Sequence, residues 1–116
     1  MIWYSLRMAY SEDVARRVEG ALAGYPGVVE KKMFGGLAFM LQGHMCCGVI
    51  GEELMVRVGP DAYEEALRLP AAREMDFTGR PLKGMVYVDP SGFEAKAELA
   101  GWVERAVEFV LSLPDK

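Results

Sequence analysis

Side chains that form disulfides or bind metals are scarce in this sequence, which has two cysteines and one histidine in 116 residues. The cysteines, Cys46 and Cys47, are adjacent, and neighbouring cysteines seldom form a disulfide because the small ring strains the peptide bond between them. No second pair is available, so a disulfide framework is excluded. The sequence therefore favours an intracellular protein, and we expect a cytoplasmic one.

The sequence also lacks long apolar runs and an excess of positive charge. No apolar stretch approaches the roughly 20 residues that cross a bilayer, and the first residues form too short an apolar run for a signal peptide. Residues 1–58 carry six bases and six acids, and residues 59–116 carry seven bases and eleven acids. No membrane association is expected. Direct nucleic-acid binding is disfavoured because a large basic face is missing, although a small basic patch remains open.

Enough apolar side chains are present to fill one core, since 52% of the residues are hydrophobic and 26% are charged. A chain of this length forms one domain. Met8 precedes Ala-Tyr-Ser and resembles an alternative start. Residues 1–7 are therefore predicted to be an N-terminal appendage that need not be ordered, and residues 8–116 the single domain.

Three segments are predicted to be helical from the spacing of their apolar residues. The first is capped by Ser11, and Asp13 and Arg17 are expected to pair one turn apart on its outer face. The second is opened by Pro60, which is placed near its first turn. The predicted helices cover about 12–22, 60–69 and 94–113.

Six apolar or alternating runs are predicted to be strands, separated by glycine-containing links and turns. The first four form a meander and the last two a hairpin. The order α-β-β-β-β-α-β-β-α predicts an α+β fold of two layers, with one antiparallel sheet and helices mainly on one face. The predicted strands are Val28–Phe34, Leu37–Gln42, Met45–Ile50, Leu54–Val58, Met75–Phe77 and Lys83–Val88.

His44 and Cys46 are weak candidates for a metal site, because residues two apart on a strand share a face. Strict alternation would place Cys47 on the opposite face, and zinc needs about four ligands, so no metal is expected. The charged residues nearest to the thiols in sequence, Glu52 and Glu53, would raise a thiol pKa by charge repulsion, so a reactive cysteine is not expected. The single histidine has no evident orienting partner. We therefore expect no catalytic site and no cofactor.

Four basic residues are candidate binding residues: Lys31, Arg57, Arg80 and Lys83. They are interpreted as polar contacts to a protein partner. The alternative is a small-ligand domain, or an undetected enzyme, that binds an anionic metabolite through this surface. Lys31 precedes a Gly35-Gly36 pair that could hold an anion with its backbone N–H groups, but no helix follows, and a hairpin turn or bulge is favoured.

Methionine is concentrated in the sheet, with five of the eight methionines on predicted strands. If helices cover one face only, these residues make the other face a partner surface or a dimer interface. The equally weighted alternative is that methionine fills the core. The five are Met33, Met40, Met45, Met55 and Met85.

The run Met33-Phe-Gly-Gly-Leu-Ala-Phe39, with Gly43-His-Met45 and Cys47-Gly-Val49 after it, resembles the signature of the TfoX N-terminal domain family. Later segments continue the resemblance in the same order, so that it covers about residues 8–114. They are Arg57-Val-Gly59, Asp76-Phe-Thr-Gly-Arg-Pro81, Lys83-Gly84 and Val86-Tyr-Val88. The residues interpreted as the structural motif are Met33, Phe34, Gly35, Gly36, Gly43, Gly48, Gly79, Pro81 and Gly84.

The resemblance implies a two-layer α+β fold of the type seen in secretion chaperones. The family is named for the TfoX/Sxy regulators of natural competence in bacteria, which act with the cyclic-AMP receptor protein and carry a second, C-terminal helical domain. The present sequence is expected to be a stand-alone N-terminal domain. No catalytic or cofactor residues come with the resemblance. We expect a non-catalytic regulatory or adaptor domain that binds a protein, for which a transcription regulator is a candidate, and that forms a homodimer.

Overall fold

A computed structural model describes residues 10–33, 35–76 and 81–114, and its element order is the predicted one. The expectations for residues 1–7, Phe34, Gly79 and Arg80 lie outside the described residues. The helices are α1 (Glu12–Leu22), α2 (Tyr63–Leu67) and α3 (Lys96–Leu111). The strands are β1 (Val28–Met33), β2 (Gly36–Leu41), β3 (His44–Ile50), β4 (Glu53–Arg57), β5 (Ala72–Asp76) and β6 (Pro81–Val88).

Helix α1 starts as predicted, because the Ser11 side chain accepts a hydrogen bond from the N–H of Val14. The prediction that Asp13 pairs with Arg17 is wrong. Asp13 instead pairs with Arg16, one residue closer, and the Arg17 guanidinium donates to the carbonyl oxygen of Phe93 at 2.6 Å. The Arg17 side chain turns away from Asp13 because the carbonyl oxygens of Phe93 and Glu94 lie beside α1 and accept its hydrogen bonds. These bonds link α1 to the segment that precedes α3.

The strands form one antiparallel sheet in the order β1-β2-β3-β4-β6-β5. The first four strands form the predicted meander, and β5 and β6 form the predicted pair. β6 lies against β4, so β1 and β5 are the two edges among the described strands. Helix α2 begins at Tyr63, later than predicted, because Gly59 has a φ of +86° and the chain makes a turn before entering the helix.

The three described helices pack against one face of the sheet, as predicted. Helix α3 contacts β3, β4 and α1, and the short α2 contacts β5 and β6. The core lies between the two layers. Its fully buried large side chains in this layer include Phe39, Leu41, Leu54, Val56, Val86, Phe93 and Val110. The two-layer α+β class is thereby confirmed.

A β-bulge in β3 changes the direction of the two cysteines. Phe39 of β2 lies opposite Cys47 and Met40 lies opposite Met45, so Cys46 is one extra residue in β3. Both cysteines belong to the core between sheet and helices, each 1% exposed. The prediction that they point to opposite faces is therefore wrong, because the inserted residue breaks the alternation.

Candidate interaction surfaces

The first candidate surface is the face of the sheet that carries Ala38, Met55 and Tyr87. No helix among the described residues packs on it, and it is called the helix-free face below. The three residues follow one another across β2, β3, β4 and β6 through the registers that pair Ala38 with Gly48, Gly48 with Met55 and Met55 with Tyr87. Met55 is fully buried, and its Cε lies 2.7 Å from the position that a Cβ at Gly48 would take. The side chain of Met55 therefore packs over the glycine.

The other strand methionines differ from Met55 in exposure. Met33, Met40, Met45 and Met85 are half-buried, so methionine partly fills the interior and partly forms accessible apolar surface.

The helix-free face also carries an ion pair that sequence reasoning missed. Arg73 pairs with Glu53 of β4, with Nη2 2.8 Å from Oε1, and its guanidinium lies 4.6 Å from the centre of the Tyr87 ring. No local sequence signal joins these residues, because each comes from a different strand.

The edge strand β1 is the second candidate surface. Val29 is 60% exposed, which makes it the most exposed large apolar side chain among the described residues, and the next three residues are also exposed. Val29 and Lys31 lie opposite Met40 and Ala38, and so point to the helix-free face. Glu30 and Lys32 lie opposite Phe39 and Leu37, and so point to the helix side. The outer edge of β1 has no neighbouring strand among the described residues.

Two carboxyl groups meet beside this edge. A side-chain hydrogen bond with Glu19 of α1 raises the pKa of Glu30, and desolvation and the Glu19 charge add to the shift. The two residues line a recess of about 420 Å³ together with Tyr25 and Val28. In the described part of the chain, neither carboxylate has an ion-pair partner. The helix side of the β1 edge therefore carries two adjacent carboxyl groups that form no ion pair, with Lys32 two residues further along the strand.

The four candidate basic residues do not lie together. Arg57 is half-buried, donates from Nη1 to the carbonyl oxygen of Met45 at 3.3 Å, and lies 5.3 Å from the centre of the Phe109 ring. Lys83 is exposed on the adjacent strand β6. Lys31 is on β1, four strand positions from β6, a separation of roughly 19 Å at about 4.8 Å per strand. Arg80 lies outside the described residues.

The thiols and the histidine lie in the first half of β3. A hydrogen bond with Cys47 lowers the pKa of the Cys46 thiol and outweighs burial, helped by the charge of Arg57. The expectation that neighbouring charge raises both thiol pKa values is therefore wrong for Cys46, because Arg57 comes close through the fold. The same hydrogen bond, with burial, raises the pKa of Cys47 well above its usual value.

His44 has a partner that sequence reasoning missed, since its Nε2 lies 2.7 Å from the carbonyl oxygen of Pro114. His44 and Cys46 are on the same strand, but no three His, Cys, Asp or Glu side chains gather into a metal-binding cluster within residues 10–33, 35–76 and 81–114. In the same ranges, no helix combines the length and the hydrophobicity of a membrane span.

The structure explains why glycine is required at four positions of the motif. A Cβ at Gly36 would overlap the carbonyl oxygen of Val49, and a Cβ at Gly48 would lie 2.6 Å from the carbonyl oxygen of Leu37. Gly35 and Gly43 have φ values of +75° and +82°, in the turns before and after β2. These positions explain the glycine pair as part of a hairpin with closely approaching strands.

Comparison with known families fits this geometry. The sequence model of one family, the TfoX N-terminal domain, matches residues 20–110. The chain belongs to this family. The match starts near the end of α1 and includes all six strands and almost the whole of α3, so the resemblance seen in the motifs is confirmed. The comparisons found no matching curated protein and no matching solved structure. In this TfoX N-terminal domain the motif glycines Gly36, Gly43 and Gly48 shape the β2–β3 hairpin.

Proposed function

We propose that this TfoX N-terminal domain is a non-catalytic regulatory or adaptor domain that binds another protein and forms a homodimer. The observation that carries the proposal is the uneven covering of the sheet. The helices that the structure describes pack on one face, while the other presents half-buried methionines, such as Met40 and Met85. Methionine is flexible and polarisable, and it is common at surfaces that adapt to a protein partner. A transcription regulator is the candidate partner, by analogy with the competence regulators that give the family its name.

The titratable groups support a binding role over a catalytic one. Nε2 of His44 is engaged by a backbone carbonyl, and both thiols are buried in the core. The Arg57 guanidinium contacts a backbone carbonyl and an aromatic ring, as a structural arginine does. Cys46 and Cys47 are free thiols, which fits a reducing compartment such as the cytoplasm.

The test is a quantitative affinity purification from the native lysate with nuclease present. Wild-type protein is compared with Lys83→Glu and Arg80→Glu, and with Lys96→Glu as a control, because Lys96 is exposed at the start of α3. We expect a partner that the wild type and the control retain and that the two test variants lose, with melting temperatures unchanged. The Kd of the purified partner then repeats the ranking.

Two results would contradict the proposal. One is equal recovery of every protein by all four baits. The other is a specific rise in melting temperature with a small anionic metabolite, lost in Lys83→Glu, which would favour the ligand-binding alternative.

A further inference from the structure

The exposed edge of β1 carries the pattern of a strand that pairs with itself. We propose that β1 pairs antiparallel with β1 of a second copy, with Lys31 opposite Lys31 at the two-fold axis, so that two six-stranded sheets become one sheet of twelve strands. This inference rests on the homodimer of the proposed function and assigns its interface.

The alternation of side chains restricts the register. Residues directly opposite each other in an antiparallel pair point to the same face, and a two-fold axis perpendicular to the sheet keeps both helix layers on one side. A central register must therefore place Lys31 opposite Lys31 or Glu30 opposite Glu30. The second choice sets two carboxylates against each other and Val29 against Lys31.

The Lys31 register is complementary on both faces. On the helix side, Glu30 lies opposite Lys32 of the second copy, and the two-fold axis produces this ion pair twice. On the helix-free face, Val29 lies opposite Met33 of the second copy, again twice, and the exposed surface of Val29 is covered. Opposite charges and apolar pairs at facing positions both stabilise a sheet. The one like-charge pair is Lys31 with itself, and two long, exposed lysine side chains can turn away from each other into water.

The recess beside β1 supports the choice of a second copy as the occupant of this edge. Glu19 and Glu30 line it, and within the described residues neither forms an ion pair, although Lys32 of the same strand points to the same side. Lys32 of the second copy would arrive directly opposite Glu30 on the helix side and would supply the ion pair that Glu30 lacks. Hydrogen bonding and charge repulsion from Glu19 raise the pKa of Glu30, as expected for a carboxyl group that lacks a positive partner.

The two edges of the sheet differ in their suitability for pairing. β1 has six residues in continuous register with β2. β5 has five residues and a register shift between Glu74 and Asp76, which interrupts a regular hydrogen-bonding edge. Lysines on an edge strand discourage indiscriminate strand pairing. Only the register with Lys31 at the axis places Glu30 of one copy opposite Lys32 of the other, where it neutralises the lysine.

A cysteine at the two-fold axis tests the register directly. In Lys31→Cys the two Cα atoms would lie about 4.5 or 5.5 Å apart, within the range of a disulfide. The control is Val29→Cys, which is on the same face but would be offset by four residues, about 13 Å along the strand. With oxidised glutathione we expect a covalent dimer of Lys31→Cys and little of Val29→Cys. The native cysteines are 1% exposed and give little background.

Charge reversal tests the ion pairs by sedimentation equilibrium. Glu30→Lys and Lys32→Glu each replace two attractive pairs by two repulsive ones, and we expect the dimer association constant to fall about tenfold or more. The double variant Glu30→Lys/Lys32→Glu restores opposite charges and is expected to recover the dimer. Lys96→Glu serves as the net-charge control for Lys32→Glu, and melting temperatures check that each variant is folded.

The outcomes separate this interface from the proposed function. Loss in the single variants, recovery in the double variant and crosslinking at position 31 support the interface. A wild-type dimer that all charge variants retain, or equal crosslinking of Val29→Cys, overturns the β1 interface and leaves the homodimer standing. A wild type that stays monomeric at the highest attainable concentration overturns both, while the partner purification remains an independent test of protein binding.

Discussion

Replacing Gly36 by alanine is expected to lower the free energy of unfolding, because the added Cβ would collide with the neighbouring strand. Gly36 begins β2 and pairs with Met33 of β1. A Cβ at this position would overlap the carbonyl oxygen of Val49 and lie 3.2 Å from Cβ of Ile50. The obstacle is the backbone of β3 rather than the end of a flexible side chain, so the strands must move apart locally.

The magnitude follows from three contributions. Overpacking in a well-packed site costs about 1–3 kcal/mol. Stretching or losing one ladder hydrogen bond adds about 1 kcal/mol. Replacing glycine restricts the unfolded chain, which returns about 0.4–1 kcal/mol. We therefore expect the free energy of unfolding of Gly36→Ala to fall by about 1–3.5 kcal/mol.

Two neighbouring glycines provide matched comparisons. Gly35 has a φ of +75° with no atom within 4 Å of a Cβ, so Gly35→Ala should lose about 1 kcal/mol from backbone strain alone. Gly20 lies in α1 with the same open space and an ordinary helical backbone, so Gly20→Ala should gain about 0.5–1 kcal/mol. Urea denaturation followed by circular dichroism gives all three values. A Gly36→Ala protein that loses clearly less than about 1 kcal/mol would refute the argument from close strand approach.

Three further perturbations test other parts of the fold. Arg17→Ala removes the hydrogen bond to the Phe93 carbonyl oxygen and the contact with the Phe93 ring. Urea denaturation should show a free energy of unfolding lower by about 1–2 kcal/mol. An unchanged value would show that the link between α1 and the segment before α3 does not contribute to stability. Tyr63→Phe removes a buried hydroxyl that has no hydrogen-bond partner among the described residues, so stability should stay equal or rise by up to about 1 kcal/mol. A clear loss of stability would contradict the unpaired hydroxyl. The pKa of Glu30 is raised, first by its hydrogen bond with Glu19. The folded state therefore holds the Glu30 proton more tightly than the unfolded state does. As a result, the stability of the wild type falls as pH rises through the pKa of Glu30. Glu19→Gln should therefore stabilise the protein at neutral pH in urea denaturation, with a gain that shrinks as pH falls through the pKa of Glu30; a gain independent of pH would contradict the shared proton.

The features that sequence predicted well depend on neighbours in the chain. The Ser11 cap and the apolar stripe of α3 follow from spacings within a few turns of helix, and both are confirmed. The meander follows in the same way from short glycine links, because two strands joined by so few residues must lie side by side. The order of elements was therefore available without tertiary information.

The features that sequence missed depend on contacts between distant segments. The bulge at Cys46 is set by the register with β2, and no pattern of apolar residues in β3 announces it. The partner of Arg17 is 76 residues away, so an acid at helical spacing looked like the better choice. Met55 packs closely over the glycine opposite it, at position 48, and a count of methionines does not reveal this contact.

The candidate basic residues separate into structural and accessible groups. The positions of the accessible residues relate the proposed β1 dimer to the proposed binding of a protein partner. Arg57 is held by Met45 and Phe109, whereas Lys31 and Lys83 are exposed at distant parts of the sheet. In the proposed twelve-stranded dimer the two β6 strands are nine strand positions apart, roughly 43 Å before twist is considered. Contact with a second copy through β1 and contact with a partner near β6 therefore do not compete for surface. A partner that is itself two-fold symmetric and spans this distance would bind such a dimer through two sites at once, and the gain in avidity would depend on β1 pairing without any contact to β1.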